Sequence, residues 1–436
     1  MIGMMQTPGP QKVQAITSQS HGYWALSAPP PAVTAALKDR MVADVAIIGG
    51  GYTGLSAAIS LGEQGTSAIV LEASEIGYGG SGRNAGNVNP GLWILPDDMP
   101  ELLGPVYGPR LFDLLSDGPK VVFDLVAKHG IKCGARNVGT LHCAVGEKGL
   151  AELETRARQW WARGVAVELL DAKATRARVG THAYCASLFD ARAGVIQPLA
   201  YARGLAGAAI AAGASIYTRT PVTSLDRAAG KWLVRTPHGE VVADWVIVAS
   251  NAYTIFPFPE IKQELALLPY FNISTKPLRP DVVERILPNG EGAWDTKPVL
   301  SSFRVEPDGR MIFGSVGAWE TPDRLVHRRW VCREIRRLFP YADEFEIETE
   351  WYGQIGMTTD HTPRLHRFSD KVIGFSGYNG RGIAPGTVFG QVLAKHVKGE
   401  IADMDMPLPF SPAAPRLMRS ALSSYYRVGA IAAHLI

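Results

Sequence analysis

An apolar strand, a glycine-rich turn and an amphipathic helix in direct succession, closed by a second apolar strand, predict an α/β fold built on a Rossmann-like unit. Residues 44–48 (DVAII) are an unbroken apolar run, as a parallel strand buried on both faces requires. GGGYTG follows at once over residues 49–54. Leu55, Ala58, Ile59 and Gly62 then recur at i, i+3, i+4 and i+7, one face of a helix, and Gly65 ends it. Residues 68–72 (AIVLE) close a βαβ unit of about 30 residues.

Before this unit, residues 1–40 read as an arm, with TPGP, HGYW and SAPPP too rich in proline for a regular element. After it, a second region of the same character starts near Val195. Pro198 opens a helical run and Gly213 lies just past its end, the usual proline-first, glycine-last asymmetry. Short strands follow: ASIYT from Ala214, VTSL from Val222, KWLVRT from Lys231, and DWVIVAS over residues 244–250. The stretches between mix charged amphipathic helices (AELETRARQWWARG) with alternating strands (RMIFGSVG). They read as a second domain inserted twice into the first. The division expected is an arm (1–40), a nucleotide-binding domain (41–90, 188–255 and 351–405), a substrate domain (91–187 and 256–350) and a C-terminal segment (406–436).

Composition narrows the function. The 46 glycines in 436 residues exceed the usual share of about 7%. Such an excess asks for tight turns or backbone close to a ligand. With 44 basic and 41 acidic residues no global field exists to hold a polyanion, so nucleic acid is not an expected partner. Cys133, Cys143, Cys185 and Cys332 are far apart with no C-x-x-C pair, which argues against a metal knuckle or disulfide scaffold and fits a reducing cytoplasm. No apolar h-region opens the chain, and no stretch reaches the roughly 18 apolar residues of a spanning helix. A cytoplasmic protein is expected, without metal.

Gly49, Gly51 and Gly54 form G-x-G-x-x-G between strand and helix. The first glycine permits the turn, the second lets backbone N–H groups approach a pyrophosphate, and the third lets helix pack on sheet. The helix N-terminus then stabilises the phosphate charge. Glu72, at the end of the second strand, stands where a carboxylate accepts hydrogen bonds from an adenosine ribose. A second glycine-rich loop follows, EIGYGGSGRNAGNVNPG, with Ser81, Arg83 and Asn84. A nicotinamide domain has no need of it, whereas the longer pyrophosphate and ribityl chain of FAD needs more backbone donors and a cation. FAD is therefore the expected cofactor.

On GGGYTG, GGSGRNAG (residues 79–86), the strand over 246–251 and GYNGRG (residues 377–382), the chain resembles the D-amino-acid-oxidase-like superfamily of FAD-dependent amine and amino-acid oxidoreductases. That group includes glycine, sarcosine and γ-glutamylputrescine oxidases. Within it the chain looks most like bacterial L-pipecolate oxidases, through GTLH at Gly139, AGVIQPLAYARGLA from Ala193, AWDT at Ala293, LSS at Leu300, GTVFG and PLPFSP.

The resemblance implies a discontinuous FAD domain and an interleaved α+β substrate domain whose antiparallel sheet covers the flavin. It implies FAD contacts at Gly49, Gly51, Gly54, Glu72, Ala73, Ser81, Arg83, Asn84, Val222, Gly380, Arg381 and Gly382, with Tyr52, Thr53, Gly82 and Ala85 in the same loops. Some relatives attach the flavin to a histidine near the second glycine loop or to a late cysteine. No histidine lies between Gly77 and Gly91 and no cysteine follows Cys332, so non-covalent FAD is expected.

The chemistry implied is oxidation of a C–N bond to an imine by hydride transfer to flavin N5. The cofactor carries that step, and the protein supplies orientation and charge. L-Pipecolate or a similar cyclic amino acid is the substrate expected. The alternatives are an acyclic amine or N-substituted amino acid such as γ-glutamylputrescine, and a flavin-binding subunit of a hetero-oligomer. O2 or a respiratory-chain acceptor would reoxidise the flavin. A carboxylated substrate wants a cation, preferably arginine. Arg304, in SSFRV, is expected over the ring as the clamp, with a structural ion pair or a flavin-side role as its alternatives. Arg381 is expected beside the flavin, stabilising its reduced anionic form. Trp93, Tyr270, Trp351 and Tyr378 are the candidate aromatic walls, with Asn272 and His361 as polar neighbours; His361 is a candidate to influence the pH profile.

Finally, residues 416–436 form a basic amphipathic helix. Arg416, Ser423, Arg427 and His434 fall on one side, and Met418, Ala421, Tyr425, Ala432 and Ile436 on the other. Docking on the protein body is expected, and peripheral contact with the inner face of a membrane is the alternative.

Overall fold

The computed structural model describes residues 16–436 and contains two large sheets. The nine-stranded sheet runs Phe410–Ser411, Arg364–Ser369, Val372–Ser376, Glu240–Val248, Arg40–Ile48, Ala68–Leu71, Ser215–Tyr217. Ser224–Ala228 and Lys231–Arg235 form an antiparallel meander beside Glu240–Val248. Its centre is parallel, with Ala46 between Val246 and Ile69, and Val246 paired in turn with Val372. Both faces are covered, which explains the continuous apolar runs. Ile47 and Val70 join the core on one face, while Ala46, Ile48, Ile69 and Leu71 join that on the other.

The helix after the first strand spans Tyr52–Gly62, and Gly65 lies beyond its end with φ +71°. Gly54 is dictated by contact: a Cβ there would stand 2.1 Å from the Gly49 carbonyl oxygen. The expected second helix is Pro198–Ala211. Helix Ile383–Val397 packs on Tyr52–Gly62, where Ser56 Oγ donates to the Thr387 carbonyl at 2.7 Å.

The eight-stranded sheet runs Ile347–Met357, Ala266–Thr275, Met311–Val316, Ser301–Val305, Gly292–Asp295, Thr140–Ala144, Ala186–Asp190, Glu168–Leu170. It is antiparallel except where Gly292–Asp295 runs parallel to Thr140–Ala144. Those two strands come from separate excursions of the chain, so no hairpin dictates their direction. Alternation sorts the side chains. Phe271, Ile273, Phe303 and Val305 point into a core closed by helix Asp323–Leu338, leaving Tyr270, Asn272, Ser302 and Arg304 on the opposite face.

Three sequence expectations need correction here. Residues 186–190 and 347–357 are strands of this second sheet, so boundaries drawn at 187/188 and 350/351 cut through strands. Residues 410–411 form an edge strand of the first sheet, within the stretch expected to be a separate C-terminal segment. The expected arm is also not devoid of regular structure. Helices Ser18–His21 and Tyr23–Ser27 drive Trp24 into a small core with Tyr23, Leu199, Ile312 and Trp351. Gly22 makes the joint, at φ +53°, where a Cβ would lie 1.9 Å from the Trp351 ring. Proline density misled because, within residues 16–40, the prolines lie at positions 29–31, after these helices. Residues 1–15, including TPGP, lie outside the described residues.

The C-terminal helix spans Arg419–Leu435 and docks through its polar side. Ser423 Oγ accepts from the Leu267 N–H at 2.9 Å, Arg427 pairs with Asp323, and His434 is buried against His327. Among the described residues, no helix is long and apolar enough to cross a membrane.

Candidate active site

The two sheets and the glycine loops line one cavity of about 1540 Å³. A single-ligand cleft takes roughly 300–1,000 Å³, so this space suits a large cofactor together with a second molecule. At one end stand Gly49, Gly51, Tyr52, Thr53, Glu72, Ala73, Ser81, Arg83, Asn84, Ala85 and Val222. At the other are Trp93, His142, Tyr270, Trp294, Ser302 and Arg381; Tyr378, whose hydroxyl meets Thr53, stands between the two, with Gly380, Gly382 and His361 also on the wall.

The first end has the donor chemistry of a dinucleotide site. Gly51 gives helix Tyr52–Gly62 no side-chain cap; Ser81 Oγ accepts from the Tyr52 N–H at 3.2 Å, and the other N–H groups of that terminus are left for an anion. The Glu72 carboxylate accepts from the Gly50 N–H at 2.7 Å and the Ser74 N–H at 2.8 Å, and burial raises its pKa. Arg83 lies over the Tyr78 ring at 4.5 Å and has no carboxylate within salt-bridge distance among the described residues, so its charge is available. These features fit FAD. Gly54 and Gly82 do not line the cavity; both act through packing, a Cβ on Gly82 falling 2.2 Å from the Gly77 carbonyl oxygen.

The second glycine loop is fixed from several directions. Asn84 Nδ2 donates to the Gly80 and Ser81 carbonyls and to the Tyr52 hydroxyl, while its Oδ1 accepts from the Gly86 N–H. Asn272 Nδ2 and Trp351 Nε1 both donate to the Arg83 carbonyl, each at 3.1 Å. Trp24 Nε1 donates to the Asn84 carbonyl at 2.9 Å, and His21 sits against the Gly77 and Tyr78 carbonyls. The carbonyls of Arg83 and Asn84 are thus held by the eight-stranded sheet and the N-terminal helices together.

Arg304 does not line the cavity. Its Nε stands 2.6 Å from Glu306, Nη1 donates to the Ile196 and Gly86 carbonyls, and the Trp24 ring covers it. Its strand parity is right for the covered face, but the N-terminal helices fill that end of the face. Asn272 and Trp351 share this end and do not line the cavity either; they hold loop backbone instead of walling a substrate.

The guanidinium beside Trp93 and Trp294 on the cavity wall is Arg381. Nη1 donates to the Pro90 carbonyl at 2.7 Å, Nε is buried with no hydrogen-bond partner, and the group lies 4.7 Å from the Trp93 ring centre and 5.9 Å from that of Trp294. Burial is the main cause that lowers its pKa, to about 9, so it remains a cation at neutral pH. Among the described residues no carboxylate is within salt-bridge distance. His142, which sequence reasoning missed, stacks on Trp294 at 5.2 Å with Nδ1 unpartnered, and burial holds the ring neutral by depressing its pKa. Trp294 was missed too. Both stand in segments quoted for the resemblance, GTLH and AWDT, and pair directly across adjacent strands. The Tyr270 hydroxyl is 2.6 Å from Ser302 Oγ, and the Tyr378 hydroxyl is 2.5 Å from Thr53 Oγ1. Burial pushes the Tyr378 phenol up to about 12.

Comparison with known proteins agrees with this geometry. Residues 44–396 match the DAO family, described as FAD dependent oxidoreductase. The γ-glutamylputrescine oxidoreductase of Escherichia coli is 30% identical over 392 residues, covering 89% of this chain and 92% of that protein. Glycine oxidase from Bacillus licheniformis is 22% identical over 82% of this chain and 93% of its own length. The structure of L-amino acid deaminase from Proteus myxofaciens superposes with a TM-score of 0.69 at 18% identity, over 87% of this chain and 95% of that one, a likeness of fold. With the cofactor end, the covering sheet and the family match in agreement, this chain belongs to the DAO family of FAD-dependent oxidoreductases.

Proposed function

We infer that this enzyme oxidises the C–N bond of a carboxylated amine, an amino acid, with Arg381 as the carboxylate receptor. One observation carries the reading: a buried guanidinium on the cavity wall has an unpartnered N–H and no carboxylate from the described residues to neutralise it. A desolvated cation of this kind is costly unless a ligand supplies the anion. Bound FAD supplies the hydride acceptor. Trp93 and Trp294 exclude water around the guanidinium and fix its plane, which strengthens its pairing with a carboxylate. His142, held neutral, offers a hydrogen bond to the substrate nitrogen. With FAD bound, loss of hydride from the α-carbon of the neutral amine would leave an iminium, and release of its N–H proton to solvent would give the imine.

The cofactor contacts proposed are the residues lining the first end, with Gly380 and Gly382 at the other, and binding is non-covalent. His21 reaches the second glycine loop but is outside the cavity wall, and none of the four cysteines lines the cavity. The two sheets mark the two domains, with the cuts moved to follow Asp190 and Met357.

L-Pipecolate is the first substrate to test. A second reading, an acyclic amine with a longer tail, is favoured by the γ-glutamylputrescine oxidoreductase relative and by Asp98 and Glu152 on the cavity wall. Anaerobic titration of the purified holoenzyme with L-pipecolate, glycine, sarcosine and γ-glutamylputrescine separates them by loss of oxidised-flavin absorbance. Bleaching by a carboxylated amine supports the inference; no bleaching by any of them would assign the chain to a flavin-binding subunit. Mixing the reduced enzyme with O2 or a quinone then distinguishes the electron acceptor.

A further inference from the structure

The C-terminal helix is amphipathic in the opposite sense from most surface helices. Its polar side faces the protein, and its outer face carries Met418, Tyr425, Val428, Leu435 and Ile436, with exposures from 63% to 100%. No aspartate or glutamate occurs after Asp405, so nothing acidic interrupts that face. Beneath the start of the helix is a groove of about 340 Å³. Ala266, Met357, Met418, Leu422 and Tyr425 give it an apolar lining, with Arg416 and Arg419 also on its wall. Glu264 lies in it as well, but its carboxylate is directed to Arg364 at 3.6 Å. Neither Arg416 nor Arg419 has a carboxylate within salt-bridge distance among the described residues.

The neighbouring helix, Asp323–Leu338, adds charge of the same sign. Its two acids, Asp323 and Glu334, are buried, whereas Arg329, Arg333 and Arg336 are exposed and make no ion pair with a described residue. Arg333 donates to the His434 carbonyl at 2.8 Å, which places this helix against the end of the C-terminal one.

We propose that this face docks on an anionic phospholipid surface, with the apolar stripe at the headgroup boundary and Arg416 and Arg419 on lipid phosphates. An apolar stripe flanked by cations is the pattern of an interfacial helix, and polybasic flanks favour anionic lipid. A second copy of this chain is the poorer occupant. A twofold contact sets the same patch against itself, and since the C-terminal helix carries no acid, it offers the arginines of the other copy no counter-charge. The proposal is independent of the substrate assigned above.

The test is co-sedimentation of the full-length, FAD-loaded protein with vesicles of phosphatidylcholine alone or mixed with phosphatidylglycerol. Binding at least about tenfold tighter to the anionic vesicles, weakened by salt, is expected. Arg416→Glu with Arg419→Glu, and separately Met418→Ser with Tyr425→Ser, should each lower that binding about tenfold or more, leaving flavin content and flavin reduction by substrate unchanged. If a double variant loses flavin, Val428→Asp on the outer face replaces it and should show the same loss of binding. Equal binding to both vesicles, binding to neither, or variants that bind as the parent does would overturn the proposal. So would a dimer in light scattering that Met418→Ser with Tyr425→Ser converts to a monomer.

Discussion

The Arg381 guanidinium lies 4.7 Å from the centre of the Trp93 ring, inside the cavity and without a carboxylate partner among the described residues. On the proposed function, substrate carboxylate is its counterion. Charge-assisted hydrogen bonds of this kind contribute about 1.5–3 kcal/mol. Arg381→Ala should lower kcat/KM for a carboxylated substrate about 10- to 150-fold. Arg381→Lys should recover part of it, since an ammonium keeps the charge and loses the fork. Rapid-mixing reduction of the flavin checks this. Equal losses for an amine lacking a carboxylate would move Arg381 to a flavin-side role.

Arg304 should behave in the opposite way. Its guanidinium is 3% exposed and paired with Glu306 at 8%, so Arg304→Ala leaves that buried carboxylate with the longer Arg136 contact at 4.0 Å and without its close partner. Breaking a buried pair costs about 3–5 kcal/mol. A clear fall in thermal midpoint and weaker flavin retention are expected, with KM unchanged in the molecules that keep FAD. A raised KM at normal stability would restore the clamp role for Arg304.

The N-terminal helices should matter to FAD as much as to folding. Trp24 is fully buried, meets Trp351 edge-on at 5.6 Å and holds the Asn84 carbonyl. Truncating such a tryptophan costs about 3–5 kcal/mol. Trp24→Ala should weaken FAD binding more than tenfold in apoprotein reconstitution, because the loop it holds carries Ser81, Arg83 and Asn84. Unchanged FAD affinity would confine Trp24 to a packing role.

These results show where the chain could be read from sequence. Gly49, Gly51, Gly54 and Glu72 were legible because one βαβ unit contains both the motif and its structural context. The place of Arg381 and Trp93 on the cavity wall was legible through motif neighbourhood. Arg304 was misassigned although its strand and parity were correct, because what covers that end of the sheet is Trp24, some 280 positions earlier. His142 and Trp294 were invisible for a related reason: their pairing needs the parallel register of two distant strands. The C-terminal helix showed its two sides plainly, but sequence could not tell which side faces inward. That depends on Asp323, buried on another helix and ready to pair with Arg427.

The same helix should loosen in acid. His327 Nδ1 and His434 Nδ1 lie 2.7 Å apart in a buried pocket where Trp330 stacks on His434. Burial is the main cause that depresses both pKa values, to about 4 for His327 and about 3 for His434; for His434 its neighbour His327 adds to it. The pair is therefore neutral when the helix is docked, whereas free histidines titrate near pH ~6.5. Below that pH the undocked state binds protons that the docked state refuses, so stability present above pH ~6.5 is lost progressively as the pH falls toward 4. Asp323, which favours the charged form of His327, is outweighed by burial and already engaged by Arg427. Amide exchange across Arg419–Leu435 should thus accelerate at least tenfold between pH 7 and pH 5, after correction for intrinsic rates, while the parallel sheet keeps its protection. His434→Phe, which keeps the stacked ring and removes the titration, should flatten that dependence. Equal acceleration in His434→Phe would assign the loosening to the Arg427 and Asp323 pair instead.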